Sequence, residues 1–489
     1  MQMDQKQRPI VDALEAFQSA SPISFHVPGH KHGLLSGLPD GLRTTMCYDA
    51  TELTGLDDLH APSSIIREAQ QLLAEAYGAD RSFLLVNGST VGNLAMIRAV
   101  CGPGDVLLVQ RNAHKSVFHA VELAGAHAIF LNPEWDESTC TAGAVAADTV
   151  RDALDRHPEA KGVFLTYPTY YGIAGDELPA IIECAHECGI PVLTDEAHGA
   201  HFVAGSPFPP SALDLGADAV VQSAHKTLSA MTQGSFLHVN SRLLDIDRLT
   251  RWLSMLQTSS PSYVLLASLD DARAGIADYS EADKQAFLTW RRRFIDRCSE
   301  LTMLEIIEPD DPLKVLVRHK HMSGYALQQS LEQQGVFTEL ADERQVLFIL
   351  PLLRERTDFT IEPVMDAFAA AARALEHRKE DDQPTAEPAV LEVYTAIPIS
   401  GGTANSSSGS SFEWIAAADA EGRIAASAIF PYPPGIPMIL AGERLTEETI
   451  ADVCRMIDSG AAFQGAVRGS GDSIQMQVET DQQGGDRHG

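Results

Sequence analysis

Between about residues 66 and 240, short apolar runs alternate with stretches of helical, amphipathic spacing. The runs are SFLLVNG (82–88), DVLLVQR (105–111), AIFLNP (128–133), GVFLTYPT (162–169), PVLTDEA (191–197), AVVQSAH (219–225) and GSFLHV (234–239). Most are apolar throughout instead of alternating. A strand of that kind is covered on both faces, so the pattern predicts an α/β fold with a mostly parallel sheet between helices. The intervening segments, such as IREAQQLLAEAYG and PAIIECAHECG, have helical spacing and end in Gly, a common helix stop. In such sheets ligands gather at the carboxyl ends of the strands.

Outside this region the pattern changes. Residues 1–50 read as an N-terminal arm and 51–290 as the major domain. Residues 291–377 read as a small α/β domain, with KVLVRH, a helix around YALQQSLEQQG, VLFILP and the helix EPVMDAFAAAARALEH. The charged, Pro-containing stretch 378–389 predicts a linker. A C-terminal α+β domain is expected over 390–466. It contains the Ser/Gly-rich stretch 400–411, read as a flexible loop, and the run IFPYPPGIPMILAGE (429–443). Residues 467–489, polar and Gly-rich, are expected to be a disordered tail.

A length of 489 residues suits two or three such domains. The charge balance, 36 Lys plus Arg against 67 Asp plus Glu, gives −31. That surface repels nucleic acid and anionic membranes, so neither is an expected partner. It attracts small cations, although excess acid also serves solubility. Seven cysteines, an odd number spread along a long chain, argue against a disulfide framework. No ligand spacing typical of a metal site appears, and no metal is expected. The segment MQMDQKQRPIVDALEAF lacks an apolar signal core, and no run of eighteen apolar residues exists. A cytoplasmic protein is the expectation.

Candidate chemistry clusters at strand ends. Asn87-Gly88-Ser89-Thr90 follows one strand and opens a helix. A helix start offers free N–H groups and a positive dipole end, which suits a phosphate, although Ser and Thr there are also ordinary caps. His114 follows DVLLVQ, where an imidazole can stack on a flat ring. Asp195, in TDEAH, ends another strand and can keep a ring nitrogen protonated. Lys226, in QSAHKT, follows DAVV; a buried amine there has a lowered pKa and attacks carbonyls, whereas a solvated loop lysine does neither. Ser223 and His225 beside it add phosphate donors. A phosphate cradle, a stacking His, an acid and a Lys 31 residues after it form a specific set.

These stretches resemble the ornithine/lysine/arginine decarboxylases, pyridoxal-phosphate (PLP) enzymes of the aspartate-aminotransferase fold (fold type I). The resemblance is carried by FHVPGHKHG (25–33), DATELTGLDDLHAP (49–62), NGSTVGN (87–93), QRNAHKS (110–116), TYPTYYG (166–172), DEAHGAHF (195–202), QSAHKTL (222–228), TSSPSYVLLASLDDAR (258–273) and YPPGIPMILAGE (432–443). It spans roughly residues 8 to 466, in the family's order. It implies PLP as cofactor, with Lys226 as Schiff-base lysine, Asp195 on the ring nitrogen and His114 stacked on the ring. Ser89, Thr90, Ser223 and His225 would hold the phosphate. Ala197 would pack against the opposite ring face, with His198 nearby; the larger members carry Trp at the position of His198. The segments from Pro28 to Lys31 and from Ser259 to Tyr263 resemble parts that complete a neighbouring subunit's site, which implies a homodimer or homotetramer with shared active sites. The larger members also carry an N-terminal response-regulator-like domain that builds decamers. Here FHVPGHK begins at residue 25, so the shorter bacterial type is expected.

The implied reaction is loss of the carboxylate from arginine, lysine or ornithine, giving CO₂ and an amine of the kind used in polyamine biosynthesis. A distal cation needs a carboxylate partner, because burying it alone is costly. The candidates are Glu52, Asp57, Asp58, Glu339 and Asp342, and the first three lie in a family-like motif. Three rivals remain open. They are an aminotransferase or other lyase on the same fold, a non-catalytic PLP-binding protein, and a structural oligomer with a degenerate site. No pair of arginines is placed like a dicarboxylate clamp, which disfavours the transaminase.

Overall fold

The computed structural model describes residues 3–357, 359–375, 412–432 and 435–480. The expected linker 378–389 and the Ser/Gly-rich stretch 400–411 lie outside the described residues.

All seven expected strands of the major sheet form. They are β1 (Arg81–Leu85), β2 (Val106–Gln110), β3 (His127–Leu131), β4 (Ala160–Thr166), β5 (Val192–Asp195), β6 (Ala219–Gln222) and β7 (Ser235–Val239). Their order across the sheet is β1-β7-β6-β5-β4-β2-β3. The neighbours from β6 to β3 run parallel, and β7 runs antiparallel to both β6 and β1. The all-apolar reading is physically apt. Leu84, Leu108, Val163, Val192 and Val220 enter one core, whereas Phe83, Leu85, Leu107, Val109, Leu193 and Val221 enter the other.

The helices follow from their ends. The N-terminal helix α1 (Pro9–Ser19) has Pro at its start and packs on α6 (Tyr263–Ala277). The helix α2 (Ile65–Tyr77) and the helix α4 (Lys115–Ala124) both stop at glycines with φ near +65°, Gly78 and Gly125. Only glycine holds that backbone without steric cost. Between these two helices in sequence, α3 (Gly88–Val100) leaves the carboxyl end of β1. A single short turn of helix, α5 (Ala224–Thr227), follows β6. The helix α7 (Glu281–Ser299) begins with a reciprocal cap: Ser280 and Asp283 each bond the other's backbone amide. The boundary expected at 290/291 falls inside this helix.

The small unit is an antiparallel sheet of β8 (Leu304–Ile307), β9 (Lys314–His319), β10 (Leu340–Ala341) and β11 (Gln345–Ile349), in the order β8-β9-β11-β10. The C-terminal unit pairs β12 (Phe412–Ala416) with β14 (Gln475–Glu479), which in turn pairs β13 (Val467–Arg468), and carries α8 (Glu447–Asp458). This corrects one expectation. Residues 467–479 are not a disordered tail; they complete the last sheet. The signal was a short alternation, Ile474, Met476 and Val478, each buried, hidden among polar and glycine residues.

One glycine sets how closely α3 approaches the sheet. A Cβ on Gly92 would collide with the Val221 side chain and stand 3.1 Å from Leu85 Cδ1. Gly92→Ala is therefore expected to lower unfolding free energy by about 1–3 kcal/mol through overpacking. A urea titration of the variant beside wild type measures this; equal midpoints would contradict the packing account.

Candidate active site

The strand ends converge where the parallel topology requires. After β1, Gly88 adopts φ +75° and turns the chain into α3. The first amides of that helix have no intrahelical acceptor, and Ser89 and Thr90 add hydroxyls beside them. Ser223, just past β6, donates from Oγ to Ser89 Oγ at 2.9 Å. His225 Nδ1 lies 2.9 Å from the Gly234 carbonyl. A carbonyl only accepts, so Nδ1 carries the hydrogen and Nε2 keeps its lone pair. Burial holds the His225 imidazole below its usual pKa, against the pull of that carbonyl.

Asp195 ends β5 and is buried. Its Oδ2 accepts from Asn93 Nδ2 at 2.8 Å, and its Oδ1 from the Ala197 amide at 3.1 Å. Burial pushes its pKa up, resisted by the Asn93 bond and by Lys226. The other Asn93 N–H goes to Ser116 Oγ at 2.9 Å. Ser116 stands in turn 2.8 Å from His114 Nδ1, and its own amide donates to that nitrogen at 3.2 Å. An amide only donates, so Nδ1 of His114 is bare and Nε2 carries the proton. Burial, and then the nearby Lys226, push the pKa of His114 down to about 3.

Lys226 sits on α5. Its Nζ is 2.9 Å from His198 Nε2 and 5.1 Å from the centre of the Tyr170 ring. The Tyr170 ring meets His198 edge-on at 4.3 Å, and its hydroxyl donates to Glu339 Oε1 at 3.0 Å. Burial lowers the Lys226 pKa, with Asp195 and Glu339 opposing. His198 is pushed well below its usual value by burial and then by Lys226. The contact puts the Lys226 amine within proton-transfer distance of the His198 ring.

The nine residues expected from sequence, Ser89, Thr90, His114, Asp195, Ala197, His198, Ser223, His225 and Lys226, all line one cleft of about 170 Å³. Sequence reasoning missed four residues here. Asn93, Ser116 and Tyr170 stand inside motifs already singled out, but nothing in the spacing shows that they touch Asp195, His114 and His198. Ile436 reaches the cleft from the C-terminal unit. That unit is clasped on by Arg111, whose guanidinium donates to the Pro437 carbonyl at 2.8 Å, the Met438 carbonyl at 3.1 Å and Glu443 at 3.4 Å. The Lys115 amide adds a bond to Gly435 O at 3.0 Å.

The five candidate carboxylates separate. Asp57 is buried and accepts amides from Asp58, Ser63, Ser64 and Ile66, so it caps the start of α2. Asp58 is exposed and binds the amides of His60 and Ala61. Asp342 is bonded by Tyr171 and by the amides of Arg344 and Gln345. Glu52 is half-buried, with Oε1 unpartnered. Half-buried Glu339 is tied to Tyr170 and lies within the field of Lys226. Tyr263, expected to serve a neighbouring subunit, is wholly buried in its own chain, where its hydroxyl accepts the Asp57 amide at 2.9 Å.

The cleft suits a flat, phosphorylated pyridine. It offers a helix start with hydroxyls at one end, a buried carboxylate at the other, and an amine on the rim. His114 and Ala197 are available for the two ring faces.

The family description "Orn/Lys/Arg decarboxylase, major domain" matches residues 8–318, and that of the C-terminal domain matches 403–484. The uncharacterized protein YaaO of Bacillus subtilis is 46% identical, with 94% of this chain and 96% of that protein covered. An arginine decarboxylase of the same organism is 34% identical over 95% of this chain and 96% of its own. Among solved structures, lysine decarboxylase A from Pseudomonas aeruginosa superposes with a TM-score of 0.77 at 20% identity, covering 97% of this chain and 81% of that one.

The His114 assignment makes a checkable statement about protons. The folded ring titrates near 3 and the unfolded ring near 6.5, so the folded state binds fewer protons in between. As pH falls through that window, this ring withdraws stability. The expected ¹⁵N spectrum of His114 is a neutral Nε2–H imidazole throughout pH 8 to about 4; a midpoint near 6.5 would contradict the geometry.

Proposed function

The chain belongs to the Orn/Lys/Arg decarboxylase family, and from that premise we propose that it decarboxylates arginine, using pyridoxal phosphate held on Lys226. An amino-acid decarboxylase of this kind acts on a basic substrate. The arginine assignment is supported by the arginine-named relative, because the lysine decarboxylase structure is similar only at the level of fold. The observation that carries the chemistry is the placement of the Lys226 amine in one cleft with buried Asp195, 2.9 Å from His198.

When bound, pyridoxal phosphate supplies a protonated ring that accepts the electrons of the breaking Cα–carboxylate bond. The protein's residues divide the remaining work. The start of α3, with Ser89, Thr90 and Ser223, would hold the phosphate, and His225 would join them by donating from Nε2 once that nitrogen is protonated. Asp195, oriented by Asn93, would keep the ring nitrogen protonated through opposite charge. His114 and Ala197 would face the ring from its two sides. Lys226, its pKa lowered by burial, would hold the cofactor's aldehyde through its amine. His198 moves a proton to or from Nζ. The excess acid of the surface draws a cationic substrate toward the cleft.

Glu339 is our choice for the distal guanidinium. One tyrosine ring and one hydrogen bond separate it from Lys226. Asp57 and Asp342 already spend their oxygens on backbone amides and a tyrosine. A planar carboxylate also matches a guanidinium fork. The working unit is a homodimer or homotetramer in the cytoplasm. In support, the N-terminal arm leaves Ile23, Phe25, Leu34 and Leu35 largely exposed.

Purified protein with PLP, given arginine, lysine and ornithine separately, is expected to release CO₂ and the matching amine from arginine fastest. Keto-acid formation without CO₂ would instead mark a transaminase. Lys226→Ala is expected to abolish turnover and borohydride trapping of the cofactor. Glu339→Gln should raise KM for arginine by about tenfold or more, with a smaller effect on kcat, as loss of a charged hydrogen bond predicts. An unchanged KM removes Glu339 from the site.

A further inference from the structure

A second buried lysine lies beneath the site, and the chemistry above does not use it. Lys314 opens β9 in the small sheet and has no exposed surface. Its Nζ donates to the Tyr170 carbonyl at 2.7 Å and to the Thr169 carbonyl at 3.2 Å. Its stem runs against Gly172, where a Cβ would come within 2.9 Å of Lys314 Cδ, and Gly172 has φ +94°. Asp311, also fully buried, accepts from His201 Nε2 at 3.0 Å, and its amide donates to the Gly172 carbonyl at 3.0 Å. The small sheet thus grips the 169–172 loop from beneath at three carbonyls.

That loop carries Tyr170, whose ring is the surface against which Lys226 and His198 rest. We propose that Lys314 is a positioning residue: it fixes the Thr169–Tyr170 backbone, and through it the Tyr170 ring, against the reacting amine. The idea rests on Lys226 being the cofactor lysine.

The energetics explain why a lysine is needed. Two carbonyls in a dry interior are bonded best by a charged donor. A buried ammonium requires counter-charge. Asp311 and Glu339 supply it, while Lys226 opposes it. Asp311 is in turn bonded by His201. Burial brings the amine down to about 7, so its charge is kept only by that surrounding set. Replacing the amine with an apolar group of similar length removes the Tyr170 carbonyl's bond to Lys314, leaves the Thr169 carbonyl with the Gly172 amide at 3.0 Å, and loosens the loop.

The test uses Lys314→Met, which keeps the stem, Lys314→Gln, which keeps a donor, and Tyr170→Ala. Hydrogen exchange in cofactor-free full-length protein reads the pinning directly. Peptides covering 166–173 should exchange about tenfold faster in Lys314→Met, with the major-sheet strands unchanged. In the holoenzyme, the pH midpoint of the visible band should move the same way in Lys314→Met and Tyr170→Ala. Their kcat values should fall about tenfold or more while KM changes less. Lys314→Gln should recover part of each effect, and the Lys314→Met/Tyr170→Ala double variant should be no worse than the single ones. If Lys314→Met does not fold, Lys314→Gln carries the same measurements against wild type. Normal exchange at 166–173, or faster exchange with an unmoved midpoint and kcat, overturns the proposal. A wild type with no visible band and no CO₂ overturns the decarboxylase reading instead, and the exchange result then stands alone on whether Lys314 pins the loop.

Discussion

The constraint on which this structure depends is a carboxylate taken out of water at the end of a strand. Among the described residues, Asp195 is hydrogen-bonded by one asparagine and one backbone amide, with Lys226 acting on it only through its field. A buried anion in that state is costly unless its surroundings are arranged for it. The arrangement reaches outward through Asn93 to Ser116 and on to His114, so the groups assigned to ring nitrogen and ring face are aligned by one row of hydrogen bonds. Asn93 lies on α3, one residue from the glycine that lets this helix press onto the sheet. Backbone packing and side-chain orientation are thus the same problem at this point.

Much of this was legible in the chain. The seven strands announced themselves because a strand covered on both faces has little room for polar residues, and the nine cleft residues lie directly after those strands. A parallel sheet puts such positions on one edge, so sequence order alone brings them together. What stayed hidden depends on contacts between distant segments. Tyr170 is one tyrosine in a motif with three, and only the fold shows which of them meets His198. Asp57 looked like a substrate ligand by its motif, yet four amides claim it. The last strand escaped notice because three apolar residues among glycines and serines give a weak period.

Lysines 226 and 314 show how one interior treats the same side chain differently. Both are depressed by burial. One lies 2.9 Å from an imidazole and over a tyrosine ring, with the cleft open to it. The other faces two carbonyls and a network containing Asp311, which favours the charged form. Their acceptors, more than their depth, tell the two lysines apart.

The clasp made by Arg111 has an implication for how the molecule comes into being. Ile436 lines the cleft from a unit encoded late in the chain, and Arg111 holds that unit by carbonyls that are in place only once it has folded. During synthesis Lys226 therefore emerges long before the wall that shelters it. A polypeptide that has not yet reached Ile436 would carry the Lys226 amine in a more open groove.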